Sequence, residues 1–324
     1  MYRGEKKFLC TLLSVAIVLV SIGWVMKVHA QEYPTRMIDI IVPLVPGGAT
    51  DVLARLIGHH AEKKWGVRVN VINKPGGNTI PANLEVYLAK PDGYTMFSDS
   101  QSSCSLLEVA IRDLPFKVLD RTFIALMTAS PHLFIVNTAS PFKSLKDIES
   151  DAKRDPGHFT WGSGGGVGAG DFIMRQFFKA IGVDVLKTKP VTCRGGAEIV
   201  SFVAGGHMKF GSSTILAVLP HAAALRVVGV SGFRTSEFPD VPTAVEQGYP
   251  TLTGLFWTGI SGPPKLPSHI IAKWDDVIQE MLKDPEILTK MKNLGLKPFY
   301  LNSSKAKEHV KKEMEFAAEL WGLK

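Results

Sequence analysis

The sequence predicts an α/β fold of two lobes, each a mainly parallel sheet flanked by helices, with the chain crossing between them twice. Three observations predict it. A strand, glycine turn and helix start occur in succession at 38–56 and again at 159–180. Around each, apolar runs alternate with amphipathic segments in β-α-β-α-β order, which right-handed crossovers turn into a parallel sheet. The chain of 324 residues, 45% apolar and 21% charged, suits two cores better than one and is that of a globular protein.

In the first unit Ile38, Ile40, Ile41 and Val42 read as a buried strand, Pro46, Gly47 and Gly48 as a turn, and Thr50 and Asp51 as the start of a 3.6-period helix ending near Lys63-Lys64-Trp65-Gly66. Such a turn aims unpaired N–H groups and the positive end of a helix dipole at one point, where a small anion can sit. Strand 67–72, the turn cluster 73–78, helix 81–89 and strand 94–98 complete the first lobe's sheet. The site then lies off the carboxyl ends of the strands, at 46–51 and 98–102. The apolar stretch 123–136, interrupted by Ser130-Pro131-His132, reads as one strand leaving the first lobe and another entering the second.

A helix over 144–153 carries Ser144 with Asp147 three residues on, close to a capping box. The second unit follows: strand 159–162, the glycine loop, helix 171–180, strand 185–191, helix 197–203, strand 208–212, a short helix at 221–224 and strand 226–230. Strand 255–260 belongs to the first lobe, as do helices 269–282, 285–294 and 304–320, the last capped by Ser304. The expected division is 31–130 plus 241–324 for the first lobe and 131–240 for the second, with the return crossing somewhere in 232–254.

The N-terminus is a targeting signal. Arg3, Lys6 and Lys7 precede an uncharged stretch of 19 residues, 8–26, and Val28-His29-Ala30 fits signal-peptidase cleavage before Gln31. An uncleaved anchor is the competing reading. Cys10 begins the apolar stretch instead of following it, which argues against a lipid anchor. Residues 31–324 carry 33 basic against 29 acidic side chains, +4, with no Lys/Arg stripe for nucleic acid. Cys104 and Cys193 either pair or stand as two buried thiols.

The loop at 162–170 matches G-x-G-x-x-A at Gly164, Gly166 and Ala169, which suggests a nucleotide-dependent oxidoreductase. Against it, the loop is mid-chain and glycine-rich enough to match by chance, and the next strand offers Lys187 and Lys189 where a ribose needs a carboxylate. No serine sits in a G-x-S-x-G elbow, the histidines are scattered, and no carboxylate pair stands out. No catalytic residue, metal or cofactor is therefore expected. Arg194, between a strand and a helix, either reaches the cleft to pair with a ligand carboxylate or faces solvent.

Taken in order, Tyr33-Pro34-Thr35-Arg36, Val45-Pro46-Gly47-Gly48-Ala49-Thr50-Asp51, Asn73-Lys74-Pro75-Gly76-Gly77, Pro91-Asp92-Gly93-Tyr94-Thr95, Trp161-Gly162-Ser163-Gly164-Gly165, Leu219-Pro220-His221, Phe238-Pro239-Asp240-Val241-Pro242-Thr243 and Gly262-Pro263-Pro264 resemble the periplasmic substrate-binding proteins of tripartite tricarboxylate transporters, the Bug (TctC-like) family. The resemblance spans the chain after the signal. It implies a periplasmic-binding-protein-like, type II Venus-flytrap fold and a monomeric, non-enzymatic periplasmic receptor. Such a receptor closes on a small carboxylate and hands it to membrane permease subunits; input to a sensor kinase is the alternative.

By position, the ligand-binding role falls on Gly47, Gly48, Ala49, Thr50 and Asp51 in the first lobe. In the second it falls on Ser163, Gly164, Gly165, Gly166, Val167, Gly168, Ala169 and Gly170. The chain departs from the family pattern there: Gly168-Ala169-Gly170-Asp171 replaces hydroxyl residues and a histidine, Thr192-Cys193-Arg194-Gly195 replaces Pro-Tyr-Lys-Gly, and Ser213, beside Thr214, stands where an acid is frequent. A more anionic ligand and a larger pocket are the expected consequences.

Overall fold

The computed structural model describes residues 32–323, so the signal expected over 1–30, its Cys10 and the cleavage before Gln31 lie outside the described residues. One compact unit runs from Arg36 to Lys324. Of the preceding unit, which ends at Thr35, residues 32–35 are described, with a cis peptide bond between Tyr33 and Pro34.

In chain order the elements are β1 (Ile38–Val42), α1 (Ala49–Trp65), β2 (Val69–Asn73), α2 (Ile80–Tyr87), β3 (Thr95–Ser100), α3 (Ser105–Ala110), β4 (Thr122–Asn137), α4 (Leu145–Arg154), β5 (Thr160–Ser163), α5 (Ala169–Ile181), β6 (Lys189–Thr192), α6 (Gly196–Ala204), β7 (Gly211–Thr214), α7 (Ile215–Val218), β8 (Leu225–Val230), β9 (Leu255–Gly262), α8 (Ser268–Met281), α9 (Pro285–Asn293), β10 (Lys297–Asn302) and α10 (Ser303–Leu320). β1 lies between β2 and β3 and runs parallel to both, with Ile40 opposite Val71 and Met96. Four of its five residues are buried, as a parallel strand covered on both faces requires. α1 ends where expected, at Gly66 with φ 69° behind Lys63 and Lys64.

β4 is one strand of 16 residues, buried except at its two ends, where two strands were expected. Its first part pairs with β9 and β10 and its last part with β7 and β8, all antiparallel. The change of partner falls at Pro131: that residue is opposite Leu255, and His132 is opposite Thr214. A proline has no N–H for a ladder, and here it sits where one ladder ends and the next begins. The two-lobed α/β expectation holds, but the sheets are mixed. β2-β1-β3 and β5-β6 are parallel, whereas β4 and β9 carry the chain between the halves as extended strands running in opposite directions.

The second half is organised by aromatic packing. Phe177 lies 5.4 Å from Phe210 and 6.2 Å from Phe134, centroid to centroid, within a core that also holds Trp161, Ile173 and Phe178. Ser144 and Asp147 form the capping box of α4. The strand expected over 185–191 starts instead with a turn at Val185–Lys187, because the Asp184 carboxylate caps the Leu186 N–H at 3.0 Å; only β6 is extended.

Residues 241–254, where the return crossing was left open, pack against the core around Phe177. Ala244, Tyr249 and Leu252 share the core of Phe177, the Gln247 amide donates to Val228 O at 3.0 Å, and Tyr249 Oη donates to Glu149 at 2.7 Å. α3 and β10 were not anticipated. α10 is capped by Asn302, whose side-chain oxygen accepts from Lys305 N, and not by Ser304. Its first turns bury Ala306 and Val310 beside Trp257, and its last bury Ala317 and Leu320 beside Phe172, so it spans both halves. Cys104 and Cys193 are both free and buried.

Candidate ligand-binding site

The first glycine turn follows β1 as a loop exposed over residues 45–48, and Gly47 takes φ 86°, which a side chain would strain. α1 then starts at Ala49 with no side chain capping it. Its first-turn acid, Asp51, turns back into the loop. One carboxylate oxygen accepts from Gly47 N at 2.9 Å and Arg55 Nε at 3.1 Å, and the other from Arg55 and Asn73, each at 2.9 Å. Burial alone would raise its pKa; the Arg55 guanidinium, the Gly47 N–H and the Asn73 amide outweigh it and hold the carboxyl below its ordinary value. Thr50 is 1% exposed, and its hydroxyl is buried with no partner. Its carbonyl accepts from Ser98 Oγ at 3.1 Å, which brings the end of β3 beside this turn as the strand-end rule predicts.

The second glycine loop closes on its own acid more completely. Ser163 Oγ donates to one oxygen of Asp171, and Gly164 N and Gly168 N donate to the other at 2.8 and 3.2 Å. Gly165 and Gly166 take φ 79° and 90°, the left-handed turn that folds the loop over the carboxylate. Asp171 is 1% exposed, and burial pushes its pKa up against these donors. The loop sits against β7 and the start of α6. A methyl group on Gly170 would lie 3.3 Å from Ser212 O, and one on Gly196 only 2.5 Å from Ser213 Oγ. Residues 163–170, Gly196, Ser213 and Thr214 thus share one end of the second half. Val167 and Ala169 are nearly buried in it.

Arg194 is held elsewhere. Its side chain is 93% exposed and pairs with Glu198, and its backbone N–H donates to the same carboxylate at 2.6 Å. The guanidinium thus has an exposed i,i+4 partner, Glu198, in this structure. Among the described residues no hydrogen bond or ion pair joins 47–51 to 163–170, and no group of three potential metal ligands occurs.

Two residues were missed. His132, at the change of partner in β4, is 3% exposed; its Nδ1 lies 2.9 Å from Ser212 Oγ and its Nε2 has no partner. Burial pushes its pKa down to about 4, so the ring is neutral at pH 7. Ser231 Oγ accepts from His132 N at 2.8 Å and donates to Gly254 O at 2.6 Å, which ties the two crossings together. The available signal was the polar triplet 130–132 inside an apolar run.

Residues 53–320 match the model of the tripartite tricarboxylate transporter family receptor. The chain belongs to that family. Protein BugT of Bordetella pertussis is 25% identical over 306 residues, 93% of each chain. The structure of a periplasmic transporter aligns with a TM-score of 0.80 at 26% identity, over 90% of this chain and 98% of its own. The structure of Rpa4515 of Rhodopseudomonas palustris with adipate aligns with a TM-score of 0.80 at 23% identity, over 90% of this chain and 99% of its own. The family is one of periplasmic solute receptors, and its two-lobed fold is the one described above. No helix among the described residues is long and apolar enough to cross a membrane.

Proposed function

We propose that this tripartite tricarboxylate transporter family receptor is a non-enzymatic, monomeric periplasmic protein, exported by a cleaved signal. It captures a small dicarboxylate between its lobes and delivers it to the membrane permease subunits. The lobes are 36–130 with 255–323 and 131–254. One ligand carboxylate sits on the first glycine turn, at Gly47, Gly48, Ala49 and Thr50, where the dipole of α1 favours it. The other end meets the second lobe at 163–170, Ser213 and Thr214. The observation that carries this reading is the buried, unpartnered Thr50 hydroxyl in the first turn of a 17-residue helix, behind an exposed loop. A buried donor left unmade costs about 1–3 kcal/mol, and a ligand carboxylate satisfies it. The adipate in the Rpa4515 structure supports the ligand class.

Because the Asp171 carboxylate already takes the N–H groups of Gly164 and Gly168, the second lobe holds its end of the ligand through hydroxyls. Isothermal titration of the chain from Gln31 with adipate, malate and citrate tests the reading. Saturable binding of a dicarboxylate, weakened about tenfold by Thr50→Val and unchanged by Arg194→Ala, is the expected result. Absence of binding to any carboxylate, or loss of it in the Arg194 variant alone, refutes it.

A further inference from the structure

A cavity of about 260 Å³ opens where β9 begins, and no residue of 45–51 or 163–170 lines it. Its walls come from both halves: Phe172 and Gln176 of α5, Trp257 of β9, Phe299 of β10, and His309, Glu313 and Phe316 of α10. Four of these are aromatic. Two polar atoms among them are buried and without partners. Gln176 is 3% exposed; its Oε1 accepts from Gly254 N at 3.3 Å, and its Nε2 has no acceptor. His309 Nε2 likewise has no partner. The Glu313 carboxylate, by contrast, is fully engaged by Gln101, Ser105 and Trp257.

The volume is that of several waters at about 30 Å³ each, and each ordered water wants two to four polar partners. Aromatic walls with two orphaned polar atoms fit water poorly. They suit one flat apolar molecule carrying a single polar group, the usual composition of a small-molecule site. The wall carries two charged residues, Glu313 and Lys312; the Lys312 ammonium is turned to the surface and paired with Glu308 at 2.6 Å, so an anion would meet the Glu313 carboxylate without a free cation to offset it.

We propose that this cavity is a second ligand site, for a neutral aromatic molecule bearing one hydroxyl or carbonyl group. The ring packs among Phe172, Trp257, Phe299 and Phe316, and the polar group accepts from Gln176 Nε2 or meets His309 Nε2. The site is independent of the carboxylate site and of its assignment.

The test is ¹⁹F NMR titration of the chain from Gln31 with 4-fluorophenol, with 4-fluorobenzoate as the anionic counterpart. Wild type should bind the phenol saturably and the benzoate at least tenfold more weakly. Thr253→Trp places an indole at the exposed rim of the cavity and leaves the core untouched; it should abolish phenol binding with an unchanged melting temperature. Gln176→Met, which keeps the volume and removes the donor, should weaken it about threefold to tenfold. No saturable phenol binding, or binding that survives Thr253→Trp, overturns the site. Equal binding of the benzoate overturns the ligand class.

Discussion

His132 Nδ1 and Ser212 Oγ lie 2.9 Å apart across the β4–β7 ladder, and the other ring nitrogen is buried without a partner. The folded protein keeps this imidazole neutral down to about pH 4, whereas the unfolded chain protonates it near 6.5. Between those values the unfolded state binds more protons, so stability rises with pH. Acidification from 6.5 to 4 should cost on the order of 2–3 kcal/mol from this group. Urea melts at several pH values should show a flatter acid limb in His132→Gln; parallel limbs would sink the assignment.

Asp51→Asn removes the acceptor shared by Gly47 N, Arg55 and Asn73. It should destabilise by about 1–3 kcal/mol. Arg55→Ala, which deletes a half-exposed partner, should cost under about 1 kcal/mol. Because the folded carboxyl is held below its ordinary value, its contribution is present above the unfolded pKa and is lost as pH falls through the folded one. Chemical denaturation of the two variants at pH 7 orders the effects, and the reverse order would be inconsistent with this geometry.

The Tyr249 hydroxyl donates to Glu149 at 2.7 Å, and Lys153, Tyr249 and Lys146 together hold that carboxyl at about 2. Glu149 therefore stabilises the fold above about pH 4.5 and stops doing so as pH falls toward 2. Tyr249→Phe should cost about 0.5–1.5 kcal/mol at pH 7 and move the carboxyl's titration upward, as a carbon-detected NMR titration would show.

Trp257→Phe removes the indole N–H that Glu313 accepts at 2.9 Å. Burial raises the Glu313 pKa, so stability falls as pH rises from the unfolded value through the folded one. The variant should lose about 1–3 kcal/mol near neutrality and less at pH 4. Equal losses at both pH values would mean that the carboxyl is not what the indole serves.

The parallel core and both glycine turns were legible because β-branched runs and glycines act locally, through burial and through φ. The Arg194–Glu198 contact was not, because it joins a loop residue to the first turn of α6, an i,i+4 pair that would compete with a ligand for the guanidinium. The continuity of β4 was hidden by Pro131, which reads as a break until the change of partners on either side of it is known. The closure of the second loop on Asp171 was half legible: an acid at the helix start stands out in the sequence, but its hold on Ser163, Gly164 and Gly168 depends on the loop folding back.

A strand shared by both halves has a mechanical meaning. Residues 123–136 are buried throughout, and in β9 every residue after Leu255 is buried as well. Two hydrogen-bonded ribbons, with α10 packed across both halves, thus join them, and the proposed closure would bend or twist the ribbons without unfolding a linker. A protease needs an extended, accessible segment, and neither ribbon offers one. Digestion should trim loops at the periphery and leave the two halves on one polypeptide.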